Sequence, residues 1–165
     1  VCFPGIMYRG GAERKIRKYL IDNNYIDCVI QLPSNLFYGT SIATCIMVLK
    51  KSKADNKVLF MDASKEFVKV TNSNKLTEEN IRHIYNWWHD RKDVQYICQL
   101  VDASAIAEEE YNLSVSSYVE QEDTREKIDI KVLNQQIRDI VAREQVLRDE
   151  IDRIIADIEE GGDHE

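Results

Sequence analysis

The chain is poor in the residues that build common small-molecule cradles. Its six glycines, at positions 5, 10, 11, 39, 161 and 162 of 165, give no G-x-G. That excludes the glycine turn that seats a dinucleotide-type cofactor on a helix N-terminus. The two prolines, Pro4 and Pro33, are not adjacent. Four cysteines, Cys2, Cys28, Cys45 and Cys98, lie far apart without a CxxC pair. A zinc site is therefore not expected, and a reducing cytoplasm is the simpler setting. His83 and His89 stand six residues apart and would not share a helix face, so they make no metal pair. No apolar run approaches the roughly 18 residues of a membrane span; the longest, Ile42 to Leu49, is strand-sized. The opening Val1-Cys2-Phe3-Pro4 leads into glycine and then charge, unlike a secretory signal. It lacks Met and reads as the inside of a strand, so we expect a chain cut from a longer protein.

What is present is charge, unevenly placed. The formal net charge is −7, and fourteen of the 29 acidic but only seven of the 22 basic residues lie from Gln121 onward. The first 120 residues are thus neutral and free to face a polyanion. Within them Arg9, Arg14, Lys15, Arg17 and Lys18, against Glu13, make a locally basic stretch. It reads either as a solvated helix face or as a nucleic-acid contact.

Periodicity suggests an α/β unit followed by a helical arm. Val1 to Phe3 reads as the end of a buried strand closed by Pro4-Gly5. Ala12 to Asn23 reads as a helix with Ile16, Tyr19, Leu20 and Ile21 on its apolar face and the bases opposite. Tyr25 to Leu32, Ser41 to Lys50 and Lys57 to Met61 read as strands, and Leu36 to Thr40 as a loop. Val70 to Lys75 is expected to be a polar connection. Thr77 then opens a helix, with Leu76 and Ile81 as a hydrophobic staple and Ile81, Ile84, Tyr85 and Trp88 as the buried stripe. Trp87, beside that stripe, reads as ordinary partial burial, with a base-stacking platform as the alternative. Tyr96 to Val101 suggests a weak strand, Asp102 to Glu110 a short helix, and Tyr111 to Val119 an extended segment.

From Ile130 the pattern changes. Ile130, Leu133, Ile137, Ile140, Leu147, Ile151, Ile154 and Ile158 are spaced alternately by three and four, with Glu144 at the one polar seam position. This heptad pattern predicts a helix whose narrow apolar seam needs a partner helix.

Several segments taken in order carry a resemblance. They are Tyr8-Arg9-Gly10-Gly11-Ala12-Glu13, Ile16-Arg17-Lys18-Tyr19-Leu20, Val29-Ile30-Gln31-Leu32-Pro33-Ser34-Asn35-Leu36-Phe37-Tyr38-Gly39-Thr40, Cys45-Ile46-Met47-Val48-Leu49 and Val58-Leu59-Phe60-Met61-Asp62-Ala63-Ser64. Asn74-Lys75-Leu76-Thr77, Tyr111-Asn112-Leu113-Ser114, Tyr118-Val119 and Ala142-Arg143-Glu144-Gln145 extend the set. Together they resemble the modification (M) subunit of type I restriction-modification systems, which are adenine-specific DNA methyltransferases using S-adenosylmethionine. The resemblance implies the C-terminal part of a Rossmann-like methyltransferase sheet with its following α/β region over 1–119; composition and periodicity add a linker over 120–129, a heptad-repeat arm over 130–160 and a frayed or extraneous tail over 161–165. Val1 to Phe3 would be a late parallel strand, Ala12 to Asn23 its crossover helix, and the runs at Tyr25 and Ser41 the closing antiparallel pair.

The family's Asn-Pro-Pro-aromatic motif is absent, as is its glycine-rich cofactor turn. The resemblance therefore places catalytic and cofactor-binding residues outside this chain, which alone is expected to bind no S-adenosylmethionine and to be inactive. Left to it are DNA-side candidates: Arg9, Arg14 and Lys15 for phosphates, and Phe37, with Tyr38 as its rival, for an extruded adenine. Phe37 reads equally as packing over the sheet end. By the same resemblance the partners are double-stranded DNA, a specificity (S) subunit met by the Ile130–Ile158 seam, and with it a restriction (R) subunit. Two other readings stay open: a non-catalytic assembly module acting through the arm, and a single-chain enzyme in which the arm is an internal spacer.

Overall fold

A computed structural model describes residues 1–122 and 130–161. The chain divides into two compact units, one within residues 1–122 and one holding the long helix. The expected linker falls mostly outside the described residues, as does the tail beyond residue 161.

The first unit runs α1 (Gly5–Tyr8), α2 (Ala12–Asp22), β1 (Ile26–Gln31), β2 (Cys45–Leu49), β3 (Lys57–Asp62), β4 (Val68–Val70), β5 (Ser73–Lys75), α3 (Glu78–Asp90), β6 (Cys98–Asp102) and α4 (Ala103–Glu108), with a 3-10 turn at Val115–Ser117. Strands β2, β1, β3 and β6 form one mixed sheet in that order. β1 pairs antiparallel with β2 and parallel with β3, and β6 lies antiparallel on the far side of β3. The expected antiparallel pair at Tyr25 and Ser41 is therefore present, although the second strand is confined to Cys45–Leu49.

Continuous apolar sequence in β1 and β3 reflects cover on both faces. One face packs Val29, Val58 and Phe60 against Met7, Ile21, Ile106, Leu113, Val115 and Val119. The other packs Cys28, Ile30, Leu59 and Met61 against Ile84, Trp87 and Trp88 of α3. A bulge interrupts the β1–β2 register, where Ile26 pairs with Leu49 and Cys28 with Val48, leaving Asp27 as the extra residue. The bulge resets the side-chain alternation. Ile26 joins the first core face, and Asp27 turns to Trp88 and Arg91, at the end of α3.

Several expectations are corrected. Val1 to Phe3 is not a buried strand: Val1 is 80% and Phe3 59% exposed, and only Cys2 forms a single antiparallel bridge, to Cys45. That bridge does give the run the same direction as β1, with β2 between them. Pro4-Gly5 starts the one-turn α1 instead of closing a turn. On α2 the buried residues are Arg17 and Ile21, while Ile16 and Tyr19 are each 60% exposed. Here the charge pattern misleads because Arg17 reaches inward to two main-chain carbonyls.

Val70 to Lys75 is not a plain connection; it completes the β4–β5 hairpin, which turns at Thr71. Thr77 does cap α3, through a reciprocal box with Asn80. The expected stripe is rotated, however. Ile81 and Tyr85 are exposed, so Ile81 makes no buried staple, and Ile84, Trp87 and Trp88 make the half-buried contact. Tyr111 to Val119 is not simply extended, since its 3-10 turn brings Leu113, Val115 and Val119 into the core. Among the described residues no helix is long and apolar enough to cross a membrane.

In the second unit α5 (Ile130–Gly161) is a single continuous helix. Ile130, Leu133, Ile137, Ile140, Leu147, Ile151, Ile154 and Ile158 are all exposed along it, and so are Val132, Val141, Val146 and Ile155. Val141 and Ile155 each lie four residues beyond a seam residue and widen the apolar face. Arg148 pairs with Glu144 at 2.7 Å, beside the seam's polar break.

Candidate functional site

The parallel strands β1 and β3 end side by side, and Ala63 donates to the Gln31 carbonyl at 2.9 Å across that end. In open α/β sheets the carboxyl edge of parallel strands is where ligands are met. Residues 32–44 leave β1 here and return to β2, closed by the Leu32 N–H to the Thr44 carbonyl at 2.8 Å. Leu32 and Pro33 are buried, and Leu36 is half-buried against the core face under α3. Asn35 takes a left-handed φ of 53°, which Asn tolerates better than most side chains. Gly39 at φ 79° and the Thr40 N–H to the Phe37 carbonyl, at 3.4 Å, complete a compact turn. From that turn Phe37 is 44% exposed and Tyr38 fully exposed.

The loop is held from outside as well. Asn74, in β5, donates its main-chain N–H to the Asn35 carbonyl at 2.9 Å and its Nδ2 to the Ser34 carbonyl at 2.8 Å. Beneath the loop's return the buried Thr44 hydroxyl has no hydrogen-bond partner among the described residues. At the end of β3, Asp62 accepts from the Ser64 N–H and from the Gln121 side chain. Trp87, Tyr96, Glu66 and Lys65 complete a cavity of about 240 Å³ there.

The basic candidates separate once the structure is seen. Arg9 is exposed, and its guanidinium folds back over Gly5. Arg14 faces Glu110 at 3.6 Å, with Glu108 and Glu109 lining the same cavity, so acids partly offset its charge. Lys15 is exposed. Arg17 is 3% exposed and donates from Nε to Tyr111 and from Nη1 to Ile6. Lys18 binds Asp22 and the Tyr111 hydroxyl. Among the described residues no hydrogen bond or ion pair joins these bases to the Phe37 loop.

Other titratable groups are structural. Burial pushes the Cys45 thiol up to about 11 and Cys98 up to about 12, far from the thiolate range of reactive cysteines. The Tyr118 phenol, also raised to about 12 by burial, donates to the Asn112 carbonyl at 2.6 Å while its ring stacks on Phe60. Asp27 is 4% exposed, with Arg91 Nη1 at 2.7 Å and Trp88 Nε1 at 3.1 Å.

Among the described residues the glycines of the first unit enclose no cradle. Gly10, Gly11 and Gly39 border open space, and Gly5 is covered by Arg9. An apolar groove of about 290 Å³ lies elsewhere, between α1, α2 and β2, lined by Val1, Cys2, Ile6, Ile16, Leu20 and Met47.

Sequence reasoning singled out Phe37 and Tyr38 but not Asn74, which holds their loop, nor the Asp27–Arg91 pair. Asn74 stood in a recognised segment, but its partners lie some forty residues earlier, beyond any local pattern.

The family model described as N-6 DNA Methylase matches residues 1–127. The type I restriction enzyme MpnII methylase subunit of Mycoplasma pneumoniae is 48% identical over 160 residues, covering 96% of this chain and 29% of that protein. The MjaVII methylase subunit of Methanocaldococcus jannaschii is 35% identical over 153 residues, covering 89% of this chain and 26% of that protein. Among solved structures, the methyltransferase subunit of a type I restriction-modification system from Streptococcus thermophilus superposes with a TM-score of 0.70 at 41% identity, covering 73% of this chain and 25% of that one. The chain thus spans less than a third of the length of the curated relatives it matches.

Proposed function

Because the chain belongs to the N-6 DNA Methylase family, we propose that it works as the C-terminal part of a type I modification subunit, within a protein that transfers a methyl group from S-adenosylmethionine to the adenine amine of DNA. Its own contribution is on the DNA side. The observation that carries this is the pair Phe37 and Tyr38, presented on a braced loop at the carboxyl edge of the parallel strands. An adenine turned out of the duplex needs an aromatic face to replace its lost stacking. Phe37 is 44% exposed, which leaves part of its ring open to a base, and Tyr38 stands next to it. Arg9 and Lys15 supply sequence-independent attraction to phosphates, and Arg14 adds less because Glu110 faces it.

Cofactor and catalytic groups come from upstream residues of the longer protein. The apolar groove on Ile6, Ile16 and Leu20 supports this, as it offers the remainder of a methyltransferase sheet a surface to cover. The exposed face of α5 is read as the docking arm for the specificity subunit, with the restriction subunit joining through that assembly. Pairing of α5 as a coiled coil or bundle belongs to this proposal.

The test is methylation by the complete modification and specificity assembly, in the cytoplasmic setting expected for it or reconstituted in vitro. Phe37→Ala should lower the rate of N6-methyladenine formation by roughly 5- to 150-fold, the loss of about 1–3 kcal/mol of base stacking. The 165-residue chain alone should form none. An unchanged rate in the variant, or methylation by the chain alone, refutes the reading.

A further inference from the structure

Hairpin β4–β5 is an odd element on physical grounds. A two-stranded ribbon is marginal in water unless something fixes it, and five of its six strand residues are exposed. The sixth is Asn74, which is half-buried. Its two hydrogen bonds reach the carbonyls of Ser34 and Asn35, on either side of the left-handed Asn35 Cα. Left-handed backbone at a non-glycine residue persists only where its surroundings over-determine it. Apart from the Leu32–Thr44 bond at the loop's base, at 2.8 Å, its own main-chain closures are longer, at 3.4 Å from the Asn35 N–H to the Ser41 carbonyl and 3.4 Å from the Thr40 N–H to the Phe37 carbonyl. Asn74 therefore supplies the shortest bonds that fix the stretch immediately before Phe37.

We infer that the β4–β5 hairpin is a brace for the base-facing loop and that Asn74 is a positioning residue for base extrusion. This rests on the reading of Phe37 given above. Asn74 touches neither base nor cofactor. It acts by holding the turn at Ser34–Asn35, so that the Phe37 ring is already placed when an adenine leaves the duplex. Preplacing the ring removes an ordering cost that would otherwise fall on the extruded state.

The experiment compares Asn74→Asp, Asn74→Ala and Phe37→Ala in the complete modification and specificity assembly, with 2-aminopurine at the target adenine reporting extrusion. Asp keeps the size and the main-chain bond but loses the Nδ2 donor. Both Asn74 variants should lower kcat and the extrusion signal by about three- to tenfold, the scale of one directional hydrogen bond. Affinities for DNA and S-adenosylmethionine should stay within about twofold on the same reasoning, since Asn74 meets neither. Hydrogen exchange in the 165-residue chain gives a readout independent of activity. Amides of residues 34–42 should exchange faster in Asn74→Asp while those of β1 stay protected. If the Asn74 variants match wild type in extrusion and loop exchange while Phe37→Ala falls, the brace is overturned alone. If Phe37→Ala is also unchanged, the reading of the loop falls with it.

Discussion

Arg17 separates the charge pattern from the structure. In sequence it belongs with Arg14, Lys15 and Lys18 on a basic helix face. In the fold it is 3% exposed, with Nε 2.7 Å from the Tyr111 carbonyl and Nη1 2.8 Å from that of Ile6. Arg17→Met keeps most of the aliphatic stem and removes both donors. A hydrogen bond involving a charged group contributes roughly 1.5–3 kcal/mol, so two of them set the loss at about 3–6 kcal/mol. The Ile6 residue is 37% exposed, and water can recover part of its carbonyl's loss, which favours the lower half of that range. Urea unfolding followed through Trp87 and Trp88 should show the midpoint falling by roughly 2 M at an ordinary dependence on denaturant. Lys15→Met, at an exposed position, should stay within about 0.5 kcal/mol of wild type. A phosphate contact would behave in the opposite way. Removing it would leave the midpoint alone and reduce the log–log salt slope of DNA binding by about 0.9. If Arg17→Met unfolds with wild type and flattens the salt dependence, the structural assignment is wrong.

Asp27→Ala should destabilise the chain by about 1–3 kcal/mol, because it leaves the Trp88 N–H without its acceptor and Arg91 with only the Lys57 carbonyl and the more distant Asp55. A double-mutant cycle with Arg91→Ala should show strong coupling in urea melts, and additive effects would refute the pairing. Stability should also fall as pH rises through 9 toward 11. An unfolded thiol ionises near 9, whereas the folded Cys45 holds its proton to about 11, so this contribution is full below 9 and is lost progressively as pH rises from 9 to about 11. Cys45 alone then removes on the order of 3 kcal/mol, readable in urea melts taken across that range. In the arm, Ile140→Glu with Leu147→Glu should abolish capture by the specificity subunit and leave the near-ultraviolet signal of the tryptophans unchanged. Retained capture would sink the docking assignment.

The sheet was legible because β1, β2 and β3 are short apolar runs bounded by turn residues, and a central strand covered on both faces leaves that mark on its own sequence. The loop carrying Phe37 was legible for the complementary reason, a proline and polar break between two such runs. Faces of helices were not. α2 and α3 both have apolar stripes of the right spacing, but which stripe turns inward depends on partners elsewhere in the chain. For α2 the deciding partners are the carbonyls of Ile6 and Tyr111, which draw Arg17 in and leave Ile16 out. For α3 it is the bulge at Asp27, invisible in a run that reads as unbroken strand, that rotates the helix toward Trp88 and Arg91.

The same two kinds of contact explain how residues 63–97, inserted between β3 and β6, come to have a fixed position. Neither α3 nor the β4–β5 hairpin has a fully buried residue, so apolar burial gives them attachment but little orientation. Orientation comes from directional bonds at opposite ends of β1. Asp27 takes Trp88 and Arg91 at the strand's start, and Asn74 grips Ser34 and Asn35 in the loop after its end. A segment pinned in this way can lose one anchor without unfolding the sheet, since the cores around Phe60 and Met61 do not depend on it. Losing Asp27 should nonetheless reduce global stability, because its bonds to Trp88 and Arg91 go together and the Trp88 N–H is left without an acceptor. Losing the Asn74 side chain should loosen only the Phe37 loop, because the one acceptor it frees, the carbonyl of exposed Ser34, can turn to water.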